Sequence, residues 1–119
     1  MPRYVLPRNT TVVEAAIQAF GNRARVGVLR CISEHQPIGR HEIAQRIGIT
    51  PSTAGNHLSV LEDLGLIVSD PPADVRRQGQ HVTYTYNRAI AAELLADFGR
   101  ELNVVDDEGR IIQEQNRLL

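Results

Sequence analysis

One cysteine, Cys31, stands in the whole chain, so no internal disulfide and no multi-cysteine metal site can form within a single copy. Tryptophan and lysine are absent, and two phenylalanines and three tyrosines leave the core to be built mainly from aliphatic side chains. No apolar run approaches the roughly 20 residues that a bilayer-crossing helix needs, so no membrane partner is expected. Nor does the segment 1–11 carry an apolar stretch followed by small residues, which argues against a signal peptide and for a cytoplasmic, nucleoid-associated protein. The sequence offers no Ser-His-Asp or Cys-His arrangement, no phosphate-cradling glycine loop and no paired carboxylates in a pocket-forming fold. An enzyme is not expected, and neither is a bound cofactor.

Net charge is −1, which lacks the basic excess usual in nucleic-acid binders. The distribution says more. Residues 1–88 carry ten arginines against seven acids, and residues 89–119 carry three against seven. The front of the chain is thus free to face phosphates while the back does something else. All 13 basic residues are arginine, the side chain suited to bidentate contact with phosphate and guanine, although a codon bias of the source genome gives the same pattern.

What is present is ordinary globular composition: 119 residues, 42% hydrophobic and 23% charged, enough for one domain with a modest core. Val13, Ala16, Ile17 and Phe20 recur at helical spacing behind an N-cap supplied by Thr10 or Thr11. Gly21-Asn22 breaks that pattern, and a second helix is predicted from about Arg23 to His35, with Val26, Leu29 and Ile32 inward. Pro37 ends it. Arg40 to Ile47 reads as a short third helix, capped by Gly39 and closed by a left-handed Gly48. Thr50-Pro51 then forms an N-cap and first helical position, opening a fourth helix to about Leu64 with Ala54, Leu58, Leu61 and Leu64 inward. Two helices joined by so short a turn make a helix-turn-helix.

After Gly65 the texture changes. Residues 66–69 predict a short strand, 70–79 a loop, and 80–87 a half-buried strand alternating Val82, Tyr84 and Tyr86 against His81, Thr83 and Thr85. Together they predict a β-hairpin, a wing. Helical period returns from Ala89 to Leu102. Residues 104–119 form a tail, read as either a short extra helix or a loosely held end, with an acidic turn at Asp106-Asp107-Glu108 and apolar pairs Ile111-Ile112 and Leu118-Leu119. The expected organisation is an arm (1–10), a winged helix-turn-helix domain (11–103) and that tail. The fold class is mainly α with a small β-hairpin wing.

The segments AFGNRARVGVLRCI, TPSTAGNHLSVLEDLGLIV and RRQGQHVTYTYN, in that order, resemble the arsenic-repressor (ArsR-like) family of winged-helix regulators over roughly residues 15–102. Arg25, Ser52-Thr53, His57-Leu58, Leu61 and Gly65-Leu66-Ile67 carry the match. The resemblance implies a homodimer whose interface uses the first and last helices: Val13, Ile17, Phe20, Ala91, Leu94, Leu95 and Phe98. It also implies binding to a pseudo-palindromic duplex site. One departure is Gly55, where the family usually has serine; a glycine there would suit either close approach to DNA or packing against the wing. Another is the absence of cysteine from the third helix and of histidine from the last, so the family's metal-sensing motifs are missing and no metal site is expected.

DNA recognition by such a domain uses the N-terminal half of the fourth helix, where Ser52, Thr53, Asn56 and Ser59 face outward. Asn56 is the candidate base reader, because an amide can bind adenine bidentately. Arg76 and Arg77 at the wing tip are candidates for minor-groove or phosphate contact, and Arg40 at the start of the third helix for phosphate contact. His57 is expected to be hydrogen-bonded inside the domain, and Cys31 to be a small buried hydrophobe. The leading expectation is a sequence-specific DNA-binding transcriptional regulator, either a repressor or a phage or mobile-element factor. The alternative, kept open by the neutral charge and by Glu62-Asp63, is a winged helix used as a protein-interaction module.

Overall fold

The computed structural model describes residues 9–114, so most of the predicted arm and the Leu118-Leu119 pair lie outside the described residues. Five helices and three short strands follow in the order α1 (Thr11–Phe20), α2 (Arg23–His35), β1 (Ile38–Gly39), α3 (Arg40–Ile47), α4 (Pro51–Asp63), β2 (Ile67–Asp70), β3 (Thr83–Tyr86) and α5 (Arg88–Glu101). Local chemistry explains most boundaries. The Thr10 hydroxyl accepts from the Val13 N–H and Asn22 Oδ1 accepts from the Arg25 N–H, each satisfying a donor at a helix start that has no intrahelical partner. Gly48 closes α3 at φ 75°, and Gly65 turns the chain out of α4 at φ 78°.

The core joins Val28, Leu29 and Ile32 of α2 to Ile43 of α3, Leu58 and Leu61 of α4, and Leu66, Ile67 and Tyr84 beside and within the sheet. Ala91 of α5 closes it from the far side. Val26, expected inward, is 38% exposed. Val28 takes the inner position instead, because α2 is rolled so that the row Val28, Leu29, Ile32 meets α3 and α4.

The sheet differs from the predicted two-stranded hairpin. It has three antiparallel strands in the order β1-β3-β2, with Ile38 opposite Tyr84 on one side of β3 and Ser69 opposite Tyr84 on the other. Two residues are too short a segment for period-2 alternation to show in sequence. Beyond β1, Gln36 Oε1 accepts the Tyr86 N–H at 2.8 Å, so a side chain takes over where the strand stops. Strand β3 is also shorter than the predicted 80–87, and the loop before it contains one 3₁₀ turn, Ala73–Val75.

The described part of the tail is neither of the two forms expected. Val105 pairs with Ile111 across a turn in which Gly109 has φ 81°. Asp106 Oδ1 accepts from the Arg110 and Glu108 N–H groups, and these bonds, Arg110 first, hold its carboxyl below the usual range. The turn lies back on α5, where Arg100 Nε donates to the Asp106 carbonyl at 3.1 Å.

Candidate nucleic-acid interface

The short turn between α3 and α4 presents the start of α4 to solvent. Thr50 caps it: its Oγ1 accepts from the Thr53 N–H at 3.1 Å and donates to Thr53 Oγ1 at 2.8 Å, which fixes that hydroxyl. Pro51 occupies the first turn, where an N–H would have no partner. Ala54, His57, Leu58 and Leu61 are buried, so Ser52, Thr53, Asn56 and Ser59 are turned outward and all four are exposed. Ser52, Asn56 and Ser59 follow the i, i+4, i+7 row and share one side of the helix.

Arg40 lies beside that surface. A Cβ on Gly55 would meet Arg40 Nη1 at 3.3 Å and Arg40 Cδ at 3.4 Å, so the arginine stem crosses α4 where the glycine leaves room. The neighbours that a Cβ on Gly55 would meet are thus atoms of an α3 side chain and not of the wing. Gly55→Ala is expected to raise stability by about 0.5–1 kcal/mol through helix propensity while lifting Arg40 from the helix. Thermal unfolding checks the first effect and duplex affinity the second. A less stable Ala variant would mean that Arg40 cannot yield.

The two wing arginines, paired in sequence, separate in space. Arg77 is exposed on a tight turn closed by Gln80 N–H to the Arg77 carbonyl (3.1 Å) and by Gln80 Oε1 accepting the Arg77 N–H (2.9 Å), with Gly79 at φ 78°. Arg76 is half-buried and folds back across the loop, its Nη2 3.4 Å from the Pro71 carbonyl, and its buried Nε has no hydrogen-bond partner. Between wing and α3 runs a groove of about 800 Å³ lined by Arg40, His41, Arg76, Arg77, Gln80 and His81 with the Tyr84 side chain. Sequence reasoning gave His41, Gln80 and His81 no part in the DNA-binding surface, since nothing in their spacing links them; the antiparallel pairing of β1 with β3 brings them together. Among the described residues no group of His, Cys, Asp and Glu could hold a metal ion.

At the other end of α4, the Ser69 hydroxyl donates to Glu62 Oε2, tying the wing strand β2 to the helix. His57 is 8% exposed and its Nδ1 accepts from Arg25 Nε at 3.3 Å, an internal hydrogen bond of the kind expected. Burial, and then the neighbouring Arg25 charge, push its pKa below the ordinary 6.5. A His with a depressed folded-state pKa contributes stability that is complete above about 6.5 and is lost as pH falls through the lower folded value. Denaturant midpoints should therefore fall more between pH 7.5 and pH 5 for the wild type than for His57→Gln; parallel curves would refute the assignment. Cys31 is buried, and burial raises its thiol pKa, which keeps it protonated at neutral pH.

Helices α1 and α5 pack together. Of the residues assigned to a dimer interface, Ala91 is 2% exposed and belongs to the protomer core, with Phe20 and Leu94 packed partly against it. Ile17 at 49% and Leu95 at 54% face solvent, and Val13 and Phe98 are half-buried. Among the described residues no helix is long and apolar enough to cross a membrane.

Residues 26–71, from α2 through β2, match the IclR helix-turn-helix domain. No curated protein sequence matches the chain. Among solved structures, an ArsR-like transcriptional regulator from Rhodococcus sp. RHA1 superimposes with a TM-score of 0.59 at 17% identity, covering 76% of this chain and 78% of that one. NolR from Sinorhizobium fredii gives 0.55 at 19% identity over 76% and 83%. Reduced HlyU from Vibrio cholerae N16961 gives 0.52 at 21% over 76% and 87%. At these identities the structural likeness establishes the fold: this chain is a winged helix, and it carries a helix-turn-helix domain.

Proposed function

We propose that this chain is a homodimeric, sequence-specific DNA-binding transcriptional regulator of the arsenic-repressor type without metal sensing, and not an enzyme. One observation carries the reading. The polar row Ser52, Asn56, Ser59 stands exposed on α4 with Arg40 beside it and the Arg77 turn across the groove from α3. Amide and hydroxyl groups on a helix that can enter a major groove suit base edges, and flanking guanidinium groups suit phosphates. In this reading Arg40, Thr53 and Arg77 position the protein, Ser52, Asn56 and Ser59 face the bases, and Arg76 braces the wing loop from within. The domain is residues 11–103, and the protein works in the cytoplasm on the nucleoid. The relatives described as ArsR-like and as transcriptional regulators support the family reading through their shared architecture.

Glu62, one of the two acids that favoured a protein-interaction module, is half-buried and bonded to Ser69, which removes part of that alternative's support. Selecting bound sequences from a random duplex pool, then measuring affinity across a salt series, tests the proposal. A pseudo-palindromic consensus and a steep salt slope are the expected results. An unenriched pool with no salt dependence would return the protein-interaction reading.

A further inference from the structure

We propose that Arg25 is a positioning residue for duplex binding, which sets the aim of α4 by joining it, through His57, to the last turn of α1. The proposal rests on the DNA-binding reading above and adds a residue that touches no DNA. One residue of α2 ties that helix to two others through its guanidinium. Asn22 caps α2 at the Arg25 N–H and so fixes the backbone from which the side chain leaves (3.0 Å). Arg25 Nη1 donates to the Gln18 carbonyl, one of the last four of α1, which have no partner within the helix. Arg25 Nε donates to His57 Nδ1 on α4 at 3.3 Å.

His57 follows Asn56 directly, and successive residues of an α-helix are about 100° apart around its axis. Holding the His57 ring therefore fixes the rotation of α4 and with it the direction of Asn56. The same guanidinium reaches α1, the helix whose outer face carries Ile17, so the proposed dimer helix and the recognition helix share one anchor.

The anchor works only with a neutral ring, because Nδ1 must accept; a protonated ring presents N–H to N–H and places two cations side by side. Helices α1, α2 and α3 and strand β2 pack on α4. Among the described residues, Arg25 is the charged group from those elements that hydrogen-bonds to the ring. Acidification thus releases α4 from its anchor.

The test compares wild type, Arg25→Gln and His57→Gln on the selected duplex and on a scrambled one, at pH 7.5 and pH 5. Arg25→Gln should lower the selected-to-scrambled affinity ratio about tenfold at pH 7.5, the order expected for one charge-assisted hydrogen bond. Wild type should fall toward the same ratio at pH 5. His57→Gln should rescue the ratio at both pH values, since its amide oxygen accepts from Arg25 without titrating. Nitrogen-15 NMR of the free wild-type protein should show His57 protonated on Nε2 and bare on Nδ1 at pH 7.5. Equal losses on both duplexes for Arg25→Gln would reduce Arg25 to a fold-stabilising residue and overturn the proposal. So would an unchanged ratio in that variant, a His57→Gln protein as acid-sensitive as wild type, or an Nδ1-protonated ring. Absence of any duplex affinity in wild type would instead sink the DNA-binding reading, and this proposal with it.

Discussion

Leu95→Asp, or Ile17→Asp, should convert the protein to folded monomers and weaken binding to the selected duplex by more than a hundredfold. Both side chains are about half exposed on the outer faces of α5 and α1 and lie outside the protomer core. An aspartate there is solvated in a monomer, so the domain keeps its fold. In a symmetric dimer it would bury an unpaired carboxylate twice, once from each copy. Leaving a buried charge uncompensated costs about 3–5 kcal/mol, which is a hundredfold or more in the dimer dissociation constant. Binding then falls because each monomer reaches only one half-site. Leu94→Asp is the poorer test, since Leu94 packs partly against the core and its replacement would unfold the protomer as well. Sedimentation with circular dichroism decides the matter: a folded Leu95→Asp dimer places the interface elsewhere.

Asn56→Ala and Arg77→Ala should fail in different ways. If Asn56 reads a base bidentately, its removal costs about 1–3 kcal/mol on the selected duplex and relaxes preference at one base pair per half-site. Affinity for scrambled DNA should barely change. Arg77 stands exposed on a tight turn and has no base edge fixed in front of it, so its removal should weaken both duplexes alike. The salt slope should then flatten by roughly 0.9 for each phosphate that Arg77 no longer neutralises, and about twice that for a symmetric dimer. Arg76→Ala should leave the slope nearer the wild-type value, because that guanidinium is turned back on the Pro71 carbonyl. Equal weakening on both duplexes for Asn56→Ala would make it a positioning residue. An unaltered slope for Arg77→Ala would take the wing turn out of the phosphate footprint.

Sequence alone determined the features set by interactions within a few residues. The Thr50-Pro51 start of α4, the Gly48 and Gly65 stops and the outward row Ser52, Asn56, Ser59 all follow from capping chemistry, backbone conformation and helical period, which act over one or two turns. The order of elements that makes a winged helix was legible for the same reason.

Only the tertiary structure decided what depends on partners distant in the chain. Strand β1 exists because β3 offers it hydrogen bonds from more than forty positions away, and no two-residue segment advertises such a partner. The roll of α2 that exposes Val26 and buries Val28 is set by α3 and α4, since each helix must present the face its neighbours can pack against. Adjacent arginines 76 and 77 look equivalent in sequence; one is drawn in by the Pro71 carbonyl and the other left to solvent. Gly55 makes room for Arg40 from another helix, and the buried ring of His57 accepts a hydrogen bond from Arg25, thirty-two residues earlier. Period and capping cannot encode such pairings, because which side chains meet is fixed only when the helices pack.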